Sequence, residues 1–207
     1  MAAKRWVFAV WMVFAMVVGS AMAVEEPAYR QVLREGDFEV RDYPALVAAE
    51  VTVTGDQKEA ANKGFRLLAA YIFGANQRRQ GIAMTAPVAQ RAASEKIAMT
   101  APVAQTRQAA GAWVVRFTMP SAYSLQTLPV PNDSRVNLRA VSAARFAVLR
   151  FSGLAQPDDV ETKSRELQAL MNSHHLRAIG PVTLAQYNPP WTLWFMRRNE
   201  VMAEVAR

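Results

Sequence analysis

The chain has 207 residues, 52% of them hydrophobic, with 24 basic against 17 acidic side chains and no cysteine. That length suits one domain with a sizeable core, and the missing cysteine excludes disulfides, thiolate metal sites, a thiol nucleophile and lipid attachment near the N-terminus. The net charge of +7 fits anionic lipid head groups, carboxylates on a small ligand, or merely solvated arginines; no zinc-finger spacing or RNA-binding aromatic signature occurs, which sets nucleic acid aside.

Lys4 and Arg5 precede an unbroken apolar run from Trp6 to Val18. Gly19-Ser20-Ala21-Met22-Ala23 follows, with small residues three and one before a cut after Ala23. This is the layout of a secretory signal peptide over residues 1–23. It predicts a periplasmic or secreted chain from Val24 onward, with 22 basic against 17 acidic residues. The run is short for a membrane span, so no stable insertion is expected after cleavage. The alternative is an uncleaved N-terminal anchor.

Tyr29 to Arg34 alternates weakly, Gly36-Asp37 is a turn, and Phe38 to Tyr43 reads as a strand. After Pro44, Leu46 to Thr54 alternates through Val47, Ala49, Val51 and Val53 and reads as a second strand. Gly55 ends it. Asp56 with Glu59 three residues on makes a capping box, and a helix to about Phe73 carries Ala61, Phe65, Leu68 and Ile72 at helical spacing. Gly74 stops it.

Two identical nonapeptides follow, IAMTAPVAQ at Ile82–Gln90 and again at Ile97–Gln105. Their period-two alternation predicts a β-hairpin with Arg91–Lys96 as its loop and Pro87 and Pro102 at edges or bulges. Met84 and Met99 fall on its apolar face, where flexible thioethers suit a ligand groove. Trp113 to Met119 is a strong strand, and Ser121 to Asp133 an extended connection.

The second half restarts the plan. Arg41, Ala45, Ala49 and Gly55 meet Arg139, Ala143, Ala147 and Gly153 in the same order, and a helix follows each glycine, the second starting near Asp158. Strand signals return at Val182–Tyr187 and Glu200–Val205. This implies an internal duplication and an α+β fold with a largely antiparallel sheet, two β-β-α-β modules curling into a distorted barrel with two helices.

No HExxH, GxSxG, P-loop or dinucleotide fingerprint is present. His174 and His175 are adjacent on the second helix and point about 100° apart, so they do not share a metal. They read as a solvated helix end, or one of them as an axial ligand to a haem iron. Asp158-Asp159 reads as an N-cap. The last feature is Tyr187 to Val201, where Pro189-Pro190 precedes Trp191, Trp194 and Phe195, and Arg197-Arg198 follow. Aromatics beside guanidiniums suit a flat anionic ligand; the alternative is a loop plugging the barrel mouth.

The IAMTAPV segments, the Trp113–Pro120 strand, Leu128 to Pro131, Arg150 to Gly153 and the YNPP…RRNEV run from Tyr187 to Val201 together resemble the SOUL family of haem-binding proteins, in family order from about Tyr29 onward. The resemblance implies one haem-binding domain over residues 24–207, similar in fold to gyrase-inhibitor-like proteins. It also implies a haem or tetrapyrrole groove along the first helix, closed by the loop after the prolines, with basic side chains for the propionates. Asn62, Ala70 and Thr192 stand where basic residues occur in the family, and no histidine stands near Asp42-Tyr43. Lys63 and Arg66 supply charge from neighbouring positions, and Phe65 and Ala69 keep the apolar wall. The ligand-binding set is then Lys63, Phe65, Arg66, Ala69, Ile72, Met84, Met99, Trp191, Trp194 and Arg197, with no metal ligand and no cofactor beyond haem. The alternatives are a hydrolase-type enzyme using a buried carboxylate such as Glu50, or a ligand-free envelope interaction module.

Overall fold

In a computed structural model, residues 24–79, 93–108 and 111–206 are described; the expected signal peptide, the first nonapeptide and Met84 lie outside them. Eleven strands and two long helices are found among the described residues: β1 Arg30–Glu35, β2 Phe38–Tyr43, β3 Leu46–Thr54, α1 Gln57–Ile72, β4 Asn76–Gln77, β5 Val103–Arg107, β6 Ala112–Thr118, β7 Val130–Pro131, β8 Asn137–Val141, β9 Ala144–Phe151, α2 Pro157–Ser173, β10 Thr183–Gln186 and β11 Asn199–Val205.

Both helices begin just after a glycine with positive φ, Gly55 at 133° and Gly153 at 121°, a backbone state that side-chain-bearing residues rarely adopt. Asp56 caps α1 by accepting from the Glu59 amide at 2.8 Å, as the sequence predicts. At α2 the predicted cap moves. Gln156 takes the N-cap position, and Asp159 Oδ2 accepts from its amide at 3.2 Å.

Nine strands form one antiparallel sheet in the order β1-β2-β9-β11-β10-β5-β6-β3-β8, and β4 pairs with β7 separately. The chain is thus α+β with two helices on a large antiparallel sheet. Among the described residues β1 and β8 are not paired with each other, so the sheet is open there and the expected distorted barrel is not confirmed.

The duplication is visible in the pairing. The two halves meet at β5–β10, and outward from there β6, β3 and β8 on one side answer β11, β9 and β2 on the other. Each half gives its first strand away. β2 pairs with β9 of the second half, and β8 with β3 of the first. The shift that places Gly55 on Gly153 also converts the cross-strand pair Arg41–Phe146 into Arg139–Ala48, as a twofold relation requires.

The expected hairpin between the nonapeptides is corrected at its second arm. Ladder pairing begins only at Val103, just after Pro102, which has no amide to donate. Both edges of β5 are taken, one by β6 and one by β10; the first nonapeptide, the other arm of the expected hairpin, lies outside the described residues.

Alternate sheet residues serve different cores. Ala147, Leu149 and Phe151 of β9 face α2 and pack with its Leu167 and Met171. Val51, Val115 and Phe117 face α1 and pack with Leu68, Tyr71 and Ile72. The face away from the helices carries Val148, Ala185 and Met202, flanked by Tyr43, Phe146 and Tyr187.

Candidate ligand-binding site

Helix α1 turns Ala60, Gly64, Leu68, Tyr71 and Ile72 inward. Leu68 and Ile72 of the predicted stripe are buried as expected, but in the first half of the helix Ala60 and Gly64 face the sheet in place of Ala61 and Phe65. An added Cβ at Gly64 would lie 2.5 Å from the Val115 Cβ, so only glycine lets the helix sit this close. Phe65 is left at the rim, 37% exposed, with its ring edge-on to Phe117 at 5.6 Å between centroids. Arg66 is exposed beside it. Lys63 pairs one turn back with Glu59 at 2.7 Å.

The rest of the predicted helix wall is not a wall. Ala69 and Ile72 are buried, Ile72 within the α1 core, and Met99 packs against that same core. Their apolar spacing is explained by packing. Of the predicted α1 set, Phe65 and Arg66 are left exposed and Lys63 half-buried.

The loop from Tyr187 to Arg198 joins β10 to β11. Pro189-Pro190 lead into a 3-10 turn over Trp194–Met196. Trp191 is 82% exposed, and Leu193, Trp194, Phe195 and Met196 lie between 55% and 64%. The aromatics therefore do not plug the sheet. Arg197, expected to meet a ligand carboxylate, turns back instead. Its Nε donates to the Thr192 carbonyl at 2.9 Å, and its Nη2 donates to the Pro190 carbonyl. Trp194 lines a cleft of about 400 Å³ with Leu154, Asp159, Thr162 and Lys163. None of the residues lining that cleft comes from α1.

The sequence did not point to a second cleft, of about 580 Å³, between the start of α1 and the first turns of α2. Trp113, Arg107, Gln57 and Leu184 line it, with the Arg107 guanidinium 5.9 Å from the centre of the Trp113 ring. The duplication is the signal that could have found it, since it brings both helices over the central strands.

The carboxylates are committed elsewhere. Both oxygens of Glu50 are engaged by arginines, Oε2 by Arg116 at 2.9 and 3.0 Å and Oε1 by Arg139 at 3.2 Å, so this carboxylate is ion-paired rather than isolated. Glu200 is fully buried and accepts from Arg41, Tyr187 and Arg198. Burial alone would raise its pKa, but these donors outweigh it and hold the carboxyl below the ordinary value.

The histidines are also placed. His174 Nε2 lies 3.0 Å from Glu35 Oε2 and its ring stacks on Phe38 at 5.2 Å. His175 follows with positive φ at the end of α2. Among the described residues no group of three His, Asp or Glu side chains could hold a metal. Neither α1 nor the loop carries a histidine.

A family model described as SOUL heme-binding protein matches residues 24–204. Heme-binding protein 1 of Xenopus tropicalis is 25% identical over 194 residues, covering 91% of this chain and 96% of that protein. Among solved structures, the C-terminal domain of EcmrR superposes with a TM-score of 0.59 at 8% identity, covering 86% of this chain and 98% of that one. A hydrolase from Listeria innocua superposes at 0.55 and 12% identity, covering 84% and 94%. At these identities the structural likenesses show the fold alone.

Proposed function

Since the chain belongs to the SOUL heme-binding protein family, we propose that it is an exported binding protein for haem or a related flat, carboxylate-bearing tetrapyrrole. Residues 1–23 act as its signal peptide and the periplasm is its site of action. The observation that carries the reading is Phe65, an aromatic ring left exposed on α1 with Arg66 exposed beside it in sequence, while Leu68, Ala69 and Ile72 of the same helix are buried. A porphyrin ring packs on Phe65, each buried apolar square ångström contributing about 25 cal/mol before ordering costs. Arg66 and Lys63 meet the propionates as charge-assisted partners. The name of the Xenopus relative supports the ligand class.

The test is a haemin titration of the chain from Val24, followed by the Soret band and tryptophan quenching. The expected result is saturable one-to-one binding, weakened roughly tenfold or more by Phe65→Asp, since a carboxylate on the contact face must be desolvated and repels the propionates. Weak, non-saturating uptake that is equal in the variant refutes the reading.

A further inference from the structure

We propose that the loop from Trp191 to Met196 is a docking wedge for an anionic lipid surface, reversible and interfacial rather than membrane-spanning. Five large apolar side chains on six consecutive residues are each more than half exposed. That is a concentrated apolar protrusion rather than scattered surface residues. Two tryptophans and a phenylalanine beside leucine and methionine are the composition of a membrane-interface anchor.

The backbone of the loop is suited to leave water. Apolar surroundings tolerate irregular chain only where its polar groups are satisfied internally. Here Pro189 and Pro190 have no amide to lose, and the Pro189 carbonyl accepts from the Thr192 amide at 3.0 Å. The Leu193 carbonyl accepts from the Met196 amide at 2.9 Å. Arg197 occupies the carbonyls of Pro190 and Thr192. The same guanidinium fastens the loop to itself, so the wedge is preformed. The chain from Val24, with 22 basic against 17 acidic side chains, carries a net positive charge that draws it to an anionic surface.

This inference does not depend on porphyrin binding, so the experiment contains none. The chain from Val24 holds every described strand, both helices and the whole family match, and it omits the apolar leader that would bind lipid by itself. It is floated with vesicles of phosphatidylcholine and phosphatidylglycerol, and quenching of tryptophan by bromine-labelled lipids is read in parallel. The wild-type protein is expected to float and to be quenched. A Trp191→Ser, Trp194→Ser, Phe195→Ser variant with unchanged circular dichroism is expected to bind about tenfold or more weakly, as binding scales with buried apolar area. Trp191→Phe, which keeps the apolar surface, should float like the wild type. Equal flotation of the wild type and the triple variant overturns the proposal. So does wild-type protein that stays in solution, including the case where sedimentation shows a dimer that the triple variant loses, for the wedge is then a contact between two copies.

Discussion

The guanidinium of Arg41 is clasped by both carboxylate oxygens of Glu200, at 2.8 and 3.1 Å, across 159 residues of sequence. Arg41 also donates to Glu39 at 2.6 Å and lies over the ring of Tyr29, while Arg198 reaches Glu200 from the other side and continues to Glu26 at 2.9 Å. A buried charge network is thus strung from the N-terminal lead across β2 to β11 on the face away from the helices.

Removing one partner leaves buried charge without compensation. Glu200→Ala is expected to destabilise the fold by about 3–5 kcal/mol, measured as the urea midpoint at constant m-value. The double variant Arg41→Met, Glu200→Met, which removes the charge altogether, should recover a substantial part of that loss.

Acid should undo the protein with a definite sign. Asp42 is held down to about 2, chiefly by hydrogen bonding from Arg145, against the opposing effect of burial and with help from Arg30. Its folded pKa is below the unfolded value of about 3.9, so its stabilisation is fully present above that value and is lost as pH falls toward 2. Glu200, also held low, acts in the same direction. Stability followed by urea titration should therefore be level above about pH 5 and fall between about 4 and 2. Asp42→Asn should flatten part of that fall.

Gly64 tests the closeness of α1 to β6. Alanine is the better helix former by about 1 kcal/mol, but its methyl collides with Val115. Gly64→Ala is expected to lower stability by a net amount on the order of 1–2 kcal/mol, seen as a lower thermal midpoint. An unchanged or raised midpoint would show that the helix can lift off the sheet freely.

Porphyrin binding should not depend on iron. His174 is engaged by Glu35 and Phe38, and neither α1 nor the loop has a histidine. Protoporphyrin without iron is expected to bind within a few-fold of haemin, and His174→Ala with His175→Ala should leave the haemin titration unchanged. Loss of haemin binding in that pair would establish an iron ligand.

Much of the local structure was legible. The capping box at Asp56, the alternation of Leu46–Thr54 and the strand from Trp113 read as they are found, because their signals are local. The matching of Arg41 and Gly55 to Arg139 and Gly153 correctly announced two halves. It did not announce that they exchange strands, since pairing partners such as Phe38 and Leu149 leave no trace in either segment. The site was less legible for the same reason. Periodicity marked Phe65, Ala69 and Ile72 alike as apolar, but only the position of the sheet decides that Ile72 is core and Phe65 is surface. Arg197 looked free in the sequence because its acceptors are carbonyls, which every residue has.

The exchange of first strands bears on how the protein is made. β2, paired on one side with β1, cannot acquire its second neighbour until Ala144–Phe151 has been synthesised, and β3, paired with β6, waits likewise for Asn137–Val141. Contacts so distant in sequence form slowly. An emerging N-terminal half therefore has unfinished edges and no way to complete its own sheet. For the export proposed above, a chain that stays open until its last third appears is in the state that threading through a translocation pore demands.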